Sequence, residues 1–214
     1  MLYAAPTWGD GLLAGSVKLL RQAQRKALIW VTSGYNSISF EEAWLTAGQV
    51  PIELKVQELS KRYKIKRGGG TPSEIKNAIV ALRKNSQEEA QTTLARMRSN
   101  GLISGILFAN EAARNRCINH ITVQYLTGHG AFRCYLHRRK CIENPICPYC
   151  LDRTEETAEH ILFYCDGYAA NRELYGIDSL KFGFSDRKVV WNEKDASTFN
   201  KFCTACESER VRVS

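Results

Sequence analysis

Cys147, Cys150, His160 and Cys165 offer the plainest chemistry in this sequence. They lie in the stretch CPYCLDRTEETAEHILFYC with the spacing C-x2-C-x9-H-x4-C. Three thiolates and an imidazole are donors that zinc prefers, and a C-x2-C turn presents two sulfurs to one point. Taken alone, Cys147-Pro148-Tyr149-Cys150 is also a dithiol redox motif, but that chemistry belongs to a strand-to-helix setting. Here Pro145 and Pro148 make the approach a loop, and the acidic residues that follow are poor neighbours for a low-pKa thiolate. The expectation is one structural zinc ion, its four protein ligands leaving no position for a catalytic water. Glu155, Glu156 and Glu159 are then expected to face solvent. Of the eight cysteines, five (Cys134, Cys141, Cys147, Cys150 and Cys165) cluster between 134 and 165, which argues against scattered core thiols. The later pair, Cys203 and Cys206, has no ligand partners after it and reads as two helical thiols near a frayed end.

Charge points to a partner. The net charge is +8, and the excess is uneven. Residues 55 to 100 hold 11 basic and 4 acidic side chains, and between Glu111 and Glu143 there are six basic residues and no acidic one. Basic segments beside a zinc module fit nucleic-acid phosphate, RNA or DNA, although a solvated helix surface accounts for many such faces. In a helix over 131–140, Arg133, His137 and Lys140 fall along one side, Arg138 and Arg139 widen it, and Phe132 and Leu136 point inward. Residues 1 to 30 lack a charged segment followed by an apolar run, and no apolar stretch reaches the ~18 residues of a membrane span. A nuclear and cytoplasmic chain with no membrane contact is expected, where disulfides are rare.

The elements that must position these groups read as mainly α. From Gly11 to Val31, Leu13, Val17, Leu20, Ala27 and Val31 share a face at helical spacing. Ser39 with Glu42 forms a capping box for a short helix ending at Gly48. Pro51 opens the next helix, with Ile52, Val56, Leu59 and Tyr63 as its core face, and Gly68-Gly69-Gly70 ends it and is the candidate hinge. Thr71-Pro72-Ser73-Glu74 starts a helix that runs towards Asn100-Gly101. Helix is expected again over 117–127, a turn at Gly128-His129-Gly130, and helix at 131–140, with weak strand signals throughout. No Walker loop, G-x-S-x-G or H-E-x-x-H is present. Asp10, Asp152, Asp166, Asp178, Asp186 and Asp195 never form the D-D or D-x-D pairing that two-metal chemistry needs, so this polypeptide alone is expected to catalyse nothing.

Two stretches carry a resemblance. YAAPTWGDGL with LRQAQRKALIWVTSGYNSISFEEAWLTAGQVPIELKVQE resembles the segment after the reverse transcriptase core in arthropod non-LTR retrotransposon polyproteins. YLTGHGAFRCYLHRRK with NPICPYCLDRTEETAEHILFYC resembles their C-terminal zinc-knuckle region, most closely that of type-1 elements inserting into ribosomal RNA genes. The resemblance covers about residues 3 to 66 and 118 to 168, in the family's order. It implies a parent with an endonuclease and an RNA-directed DNA polymerase that works by target-primed reverse transcription, with Mg²⁺ only in the polymerase. It implies a C-terminal fragment with a helical thumb-like unit at 1–67, a divergent helical linker at 68–116, basic helices plus a CCHC zinc knuckle at 117–170, and a tail at 171–214. The upstream polymerase and endonuclease would be its protein partners. Cys147, Cys150, His160 and Cys165 match the family's CCHC ligands. The family's catalytic aspartates are absent, and the middle gap of the knuckle is slightly long.

Overall fold

The computed structural model describes residues 2–96, 102–109, 111–183 and 189–213. The described chain is mainly helical: α1 (Ala5–Trp8), α2 (Ala14–Thr32), α3 (Phe40–Ala47), α4 (Ile52–Arg67) and α5 (Pro72–Arg96) are followed by strand β1 (Ile106–Phe108). Then come α6 (Glu111–Cys117), α7 (His120–Thr127), α8 (Arg133–Arg138), α9 (Ala158–Phe163), α10 (Ala169–Tyr175), β2 (Val189–Trp191) and α11 (Glu193–Val213). It divides into two compact units, Met1–Leu28 with Gln49–Met97, and Ile29–Gly48 with Arg98–Ser214.

In the first unit α4 packs on α1 and α5 around Ala5, Ile52 and Val56, with Leu12, Leu20 and Leu59 against them. The expected face of α2 is corrected: Leu13 and Val31 are exposed, and the buried positions at its end are Leu28, Ile29 and Thr32. Apolar residues lie on several sides of this helix, and Leu20 together with polar contacts ties it to this unit. The Gln24 side chain donates to the Val50 carbonyl and accepts from the Ile52 amide, both at 2.9 Å, and Arg21 pairs with Glu53. On α4, Tyr63 stays partly exposed under the Arg67 guanidinium instead of joining the core. The triple glycine is the turn between α4 and α5, which pack together within this unit, so it is a hairpin turn and not a hinge to the rest. Thr71 caps α5 reciprocally with Glu74. The helix end expected at Asn100-Gly101 lies outside the described residues.

The second unit holds the larger core, built from Ile103, Ile106, Tyr125, Leu126, Phe132, Ile161, Tyr168, Trp191, Phe199 and Phe202. Its α3 follows the expectation closely: Ser39 and Glu42 form the reciprocal capping box, and Gly48 closes the helix in the left-handed conformation. The strands pair in parallel, Ile106 with Val189 through Phe108 with Trp191. α11 runs along α6 and α7, which corrects the frayed end: Cys203 and Cys206 are fully buried. Cys147 and Cys165 belong to the same core, so the cysteine motif is built into this unit and is not a free-standing module.

Candidate metal centre

A short hairpin delivers the first two ligands. The Asn144 side chain accepts from the Ile146 amide at 2.9 Å, and Ile146 bridges antiparallel to Glu155. Cys147 N–H donates to the Thr154 carbonyl and Glu156 N–H to the Pro145 carbonyl, each at 2.9 Å. The loop between turns back at Arg153, in the left-handed region at φ 50°. α9 delivers the third ligand: Thr157 is its N-cap, the hydroxyl accepting the His160 amide at 2.9 Å, which places His160 in the first turn. Cys165 follows the helix end, its amide donating to the His160 carbonyl at 2.8 Å.

The four ligand atoms converge. Cys147 Sγ lies 3.6 Å from Cys165 Sγ, Cys150 Sγ lies 3.4 Å from His160 Nε2, and all four are within 4.8 Å of one another. Zinc bound tetrahedrally at about 2.3 Å to sulfur and about 2.1 Å to nitrogen separates S from S by about 3.8 Å and S from N by about 3.6 Å. The cluster therefore fits a tetrahedral metal ion. Burial pushes the Cys147 thiol up to about 12, against a hydrogen bond from the Tyr149 amide that favours the thiolate. Burial likewise raises Cys165, against a hydrogen bond from the Gly167 amide. The Cys147 and Cys165 sulfurs thus each face the amide two residues ahead, which favours the ligating thiolate. Burial lowers the His160 pKa, which favours the neutral imidazole, the form that ligates. Its Nδ1 is buried without a hydrogen-bond partner among the described residues, so the carboxylate or carbonyl that usually orients a metal-bound histidine is not seen there.

Three supports come from residues other than the four ligands, two of them beyond the motif. Gly167 packs so closely that a Cβ there would sit 2.5 Å from both Cβ and the carbonyl oxygen of Tyr149. Arg172, buried on α10, donates through Nη1 to the carbonyls of Ile161 (3.1 Å) and Cys165 (2.8 Å), fastening the last ligand to α9. Glu156 turns inward, which corrects its expected exposure, whereas Glu155 and Glu159 face solvent. Its backbone carbonyl accepts from Cys134 at 3.2 Å and its carboxylate meets Arg210 of α11 at 2.8 Å. Sequence spacing signals none of these, because each depends on a residue or a turn that only the folded unit brings near.

Of the candidate phosphate-contacting residues, Arg133 opens α8 and the others sit at its end, and α8 is shorter than the 131–140 helix expected. His137, Arg138, Arg139 and Lys140 are exposed; Arg133 is half-buried, its Nε donating to the Asn144 carbonyl at 3.2 Å. Phe132 is fully buried and Leu136 partly so. Lys140 takes φ 59° just past the helix, so the 133–137–140 stripe breaks at its last member.

The chain is 27% identical over 202 residues to a 115 kDa protein in type-1 retrotransposable element R1DM of Drosophila melanogaster, covering 86% of this chain and 19% of that protein. It is 25% identical over 186 residues to a retrovirus-related Pol polyprotein from type-1 retrotransposable element R1 4 of Nasonia vitripennis, covering 80% of this chain and 46% of the relative. Over most of its length the chain is thus similar to proteins of type-1 retrotransposable elements. The chain spans less than half the length of either relative. No protein-family model matches it, and no solved structure does. Among its described residues no helix is long and apolar enough to cross a membrane.

Proposed function

We propose that the chain is a zinc-stabilised, nucleic-acid-binding part of a retrotransposon polyprotein. In this reading it positions template RNA or target DNA for target-primed reverse transcription by the attached polymerase and endonuclease. The relation to a Pol polyprotein over most of the chain carries the reading. Cys147, Cys150, His160 and Cys165 would hold one structural zinc, which neutralises thiolate charge and braces the hairpin against α9. Arg133, His137, Arg138, Arg139 and Lys140 would meet phosphates, four of them standing exposed beside that hairpin. A polymerase-proximal, thumb-like part belongs to the same proposal, and because α4 and α5 pack together in one unit its end would lie beyond residue 67.

Metal analysis of the purified chain, with RNA and DNA titrations at two salt concentrations, tests it. One zinc per chain and an affinity that falls steeply with salt are expected. Zinc without salt-dependent binding would leave a protein-interaction module instead.

A further inference from the structure

Beside the basic end of α8, a set of rings and hydroxyls serves no role in the metal centre. Ser37, in the loop between α2 and α3, is held from two sides. Its Oγ lies 2.7 Å from the Tyr135 hydroxyl and 2.9 Å from His129 Nδ1. The same loop is fastened at Ser33, whose carbonyl meets His120 Nδ1 at 2.9 Å. Loop residue Tyr35 therefore stands among fixed partners: it lies edge-on to Tyr135 at 6.0 Å and nearly parallel to His120 at 6.1 Å. Tyr35 and Tyr135 are half-buried and His120 is exposed. The Arg139 guanidinium lies 5.3 Å over the Tyr135 ring, so one cation of the basic turn is seated on these rings. The turn at Gly128-His129-Gly130 makes this possible. Gly128 takes φ 69°, and Gln124 crowds Gly130 so closely that a Cβ would sit 2.3 Å from its Oε1.

Charged and aromatic groups side by side fit one class of ligand best. A phosphate chain alone needs only the cations, and an apolar peptide needs no arginine over the ring. Unpaired bases offer flat faces to aromatic rings while their phosphates meet lysine and arginine, whereas a duplex keeps its bases stacked internally. Resting on the nucleic-acid reading above, we infer that Tyr35, with His120 and the Tyr135–Arg139 pair, is a base-stacking platform that selects single-stranded over duplex nucleic acid. The loop is fastened before any ligand arrives, so little ordering is needed on binding.

The test uses the zinc-loaded full chain and fluorescent 12-nucleotide RNA, single-stranded or in a duplex, at two salt concentrations. Tyr35→Leu should weaken single-strand binding about tenfold or more, leave the salt dependence unchanged, and leave duplex binding as it was. Tyr35→Phe should keep wild-type affinity. Wild-type chain photo-crosslinked to a 4-thiouridine oligonucleotide should yield adducts within 33–37 or at Tyr135, a readout that does not depend on any variant folding. Unchanged single-strand affinity in a folded Tyr35→Leu chain, or adducts confined to other segments, would overturn the platform and leave phosphate binding standing. Wild-type chain that binds neither form of this RNA, nor the same sequence as single-stranded or duplex DNA, would instead remove the nucleic-acid reading itself, and the platform with it.

Discussion

Arg210 on α11 donates through Nη2 to Glu156 Oε1 at 2.8 Å, joining residues 54 apart in sequence, with both side chains largely removed from solvent. The guanidinium also donates to the Ala131 carbonyl and to Glu207, and lies 5.2 Å over the Phe132 ring. Glu156 accepts in turn from the Arg133 amide at 3.2 Å. One ion pair thus fastens the C-terminal helix to the segment joining the two halves of the candidate metal centre. Arg210→Ala would leave a buried carboxylate without its cation, a loss of about 3–5 kcal/mol. Glu156→Gln keeps an oxygen acceptor and should lose distinctly less. Denaturant midpoints of the two variants check this, and equal small losses would show that the pair is only incidental.

Chelation should reach beyond the motif for a related reason. Cys147 and Cys165 lie in one core with Phe199 and Phe202 of α11. Structural zinc supplies folding free energy directly, on the order of 10 kcal/mol in small zinc-dependent peptides. Removing the metal should therefore raise amide exchange over 145–168 and also along α11, while α4 and α5, in the other unit, keep their protection. Exchange confined to 145–168 would contradict the shared core.

Local signals were legible and distant ones were not. Ser39 with Glu42, Gly48, Thr71 with Glu74, and Gly128 all act within a turn or two, so spacing alone locates them. That Cys147, Cys150, His160 and Cys165 come together was legible too, because they lie in one short hairpin, the helix after it and the turn that ends that helix. Glu156 was misread because an acidic residue in a polar run looks solvated until its partner on α11 is known. Leu13 and Val31 were misread because helical spacing cannot say which of several apolar sides a neighbour covers. The strand pair stayed hidden because three-residue strands joined across a long separation leave almost no periodicity.

Gly167→Ala is the sharpest single test of the centre. The new methyl would sit 2.5 Å from the Tyr149 backbone, which belongs to the loop carrying Cys147 and Cys150. Neither backbone can yield cheaply, so the loop and Cys165 must move apart. A loss of about 1–3 kcal/mol is expected from such overpacking, with zinc affinity reduced at least tenfold. Competition with a chromophoric chelator measures it. Wild-type affinity would mean that the turn after Cys165 does not hold the ligands together.

His129 should give stability a mild dependence on acidity. Burial holds its pKa below the ordinary 6.5, with Arg138 and Arg139 lowering it further and Glu42 opposing them. The unfolded chain then binds the proton more readily than the folded one. Stability is complete above about pH 6.5 and declines as the pH falls below that value. In zinc-saturated protein, His129→Gln should flatten the curve between about pH 7 and 5 relative to wild type. Parallel curves would rule the residue out as the source.

Lys140 separates folding from binding. Its amide donates to the His137 carbonyl at 2.9 Å and the Cys141 amide to the Leu136 carbonyl at 3.0 Å, the paired bonds that close a helix through a left-handed residue. Glycine usually fills such a position, since a side chain there costs about 1 kcal/mol. Lysine stands in it at φ 59°, exposed beside Arg138 and Arg139. Lys140→Gly should accordingly raise stability by about 0.5–1 kcal/mol. If Lys140 meets a phosphate, the same change should weaken RNA binding and reduce the salt slope by about 0.7–0.9. Thermal melts and titrations on one variant read both effects. A more stable chain that binds RNA with unaltered affinity and slope would remove Lys140 from the phosphate-contacting set and leave its lysine unexplained by binding.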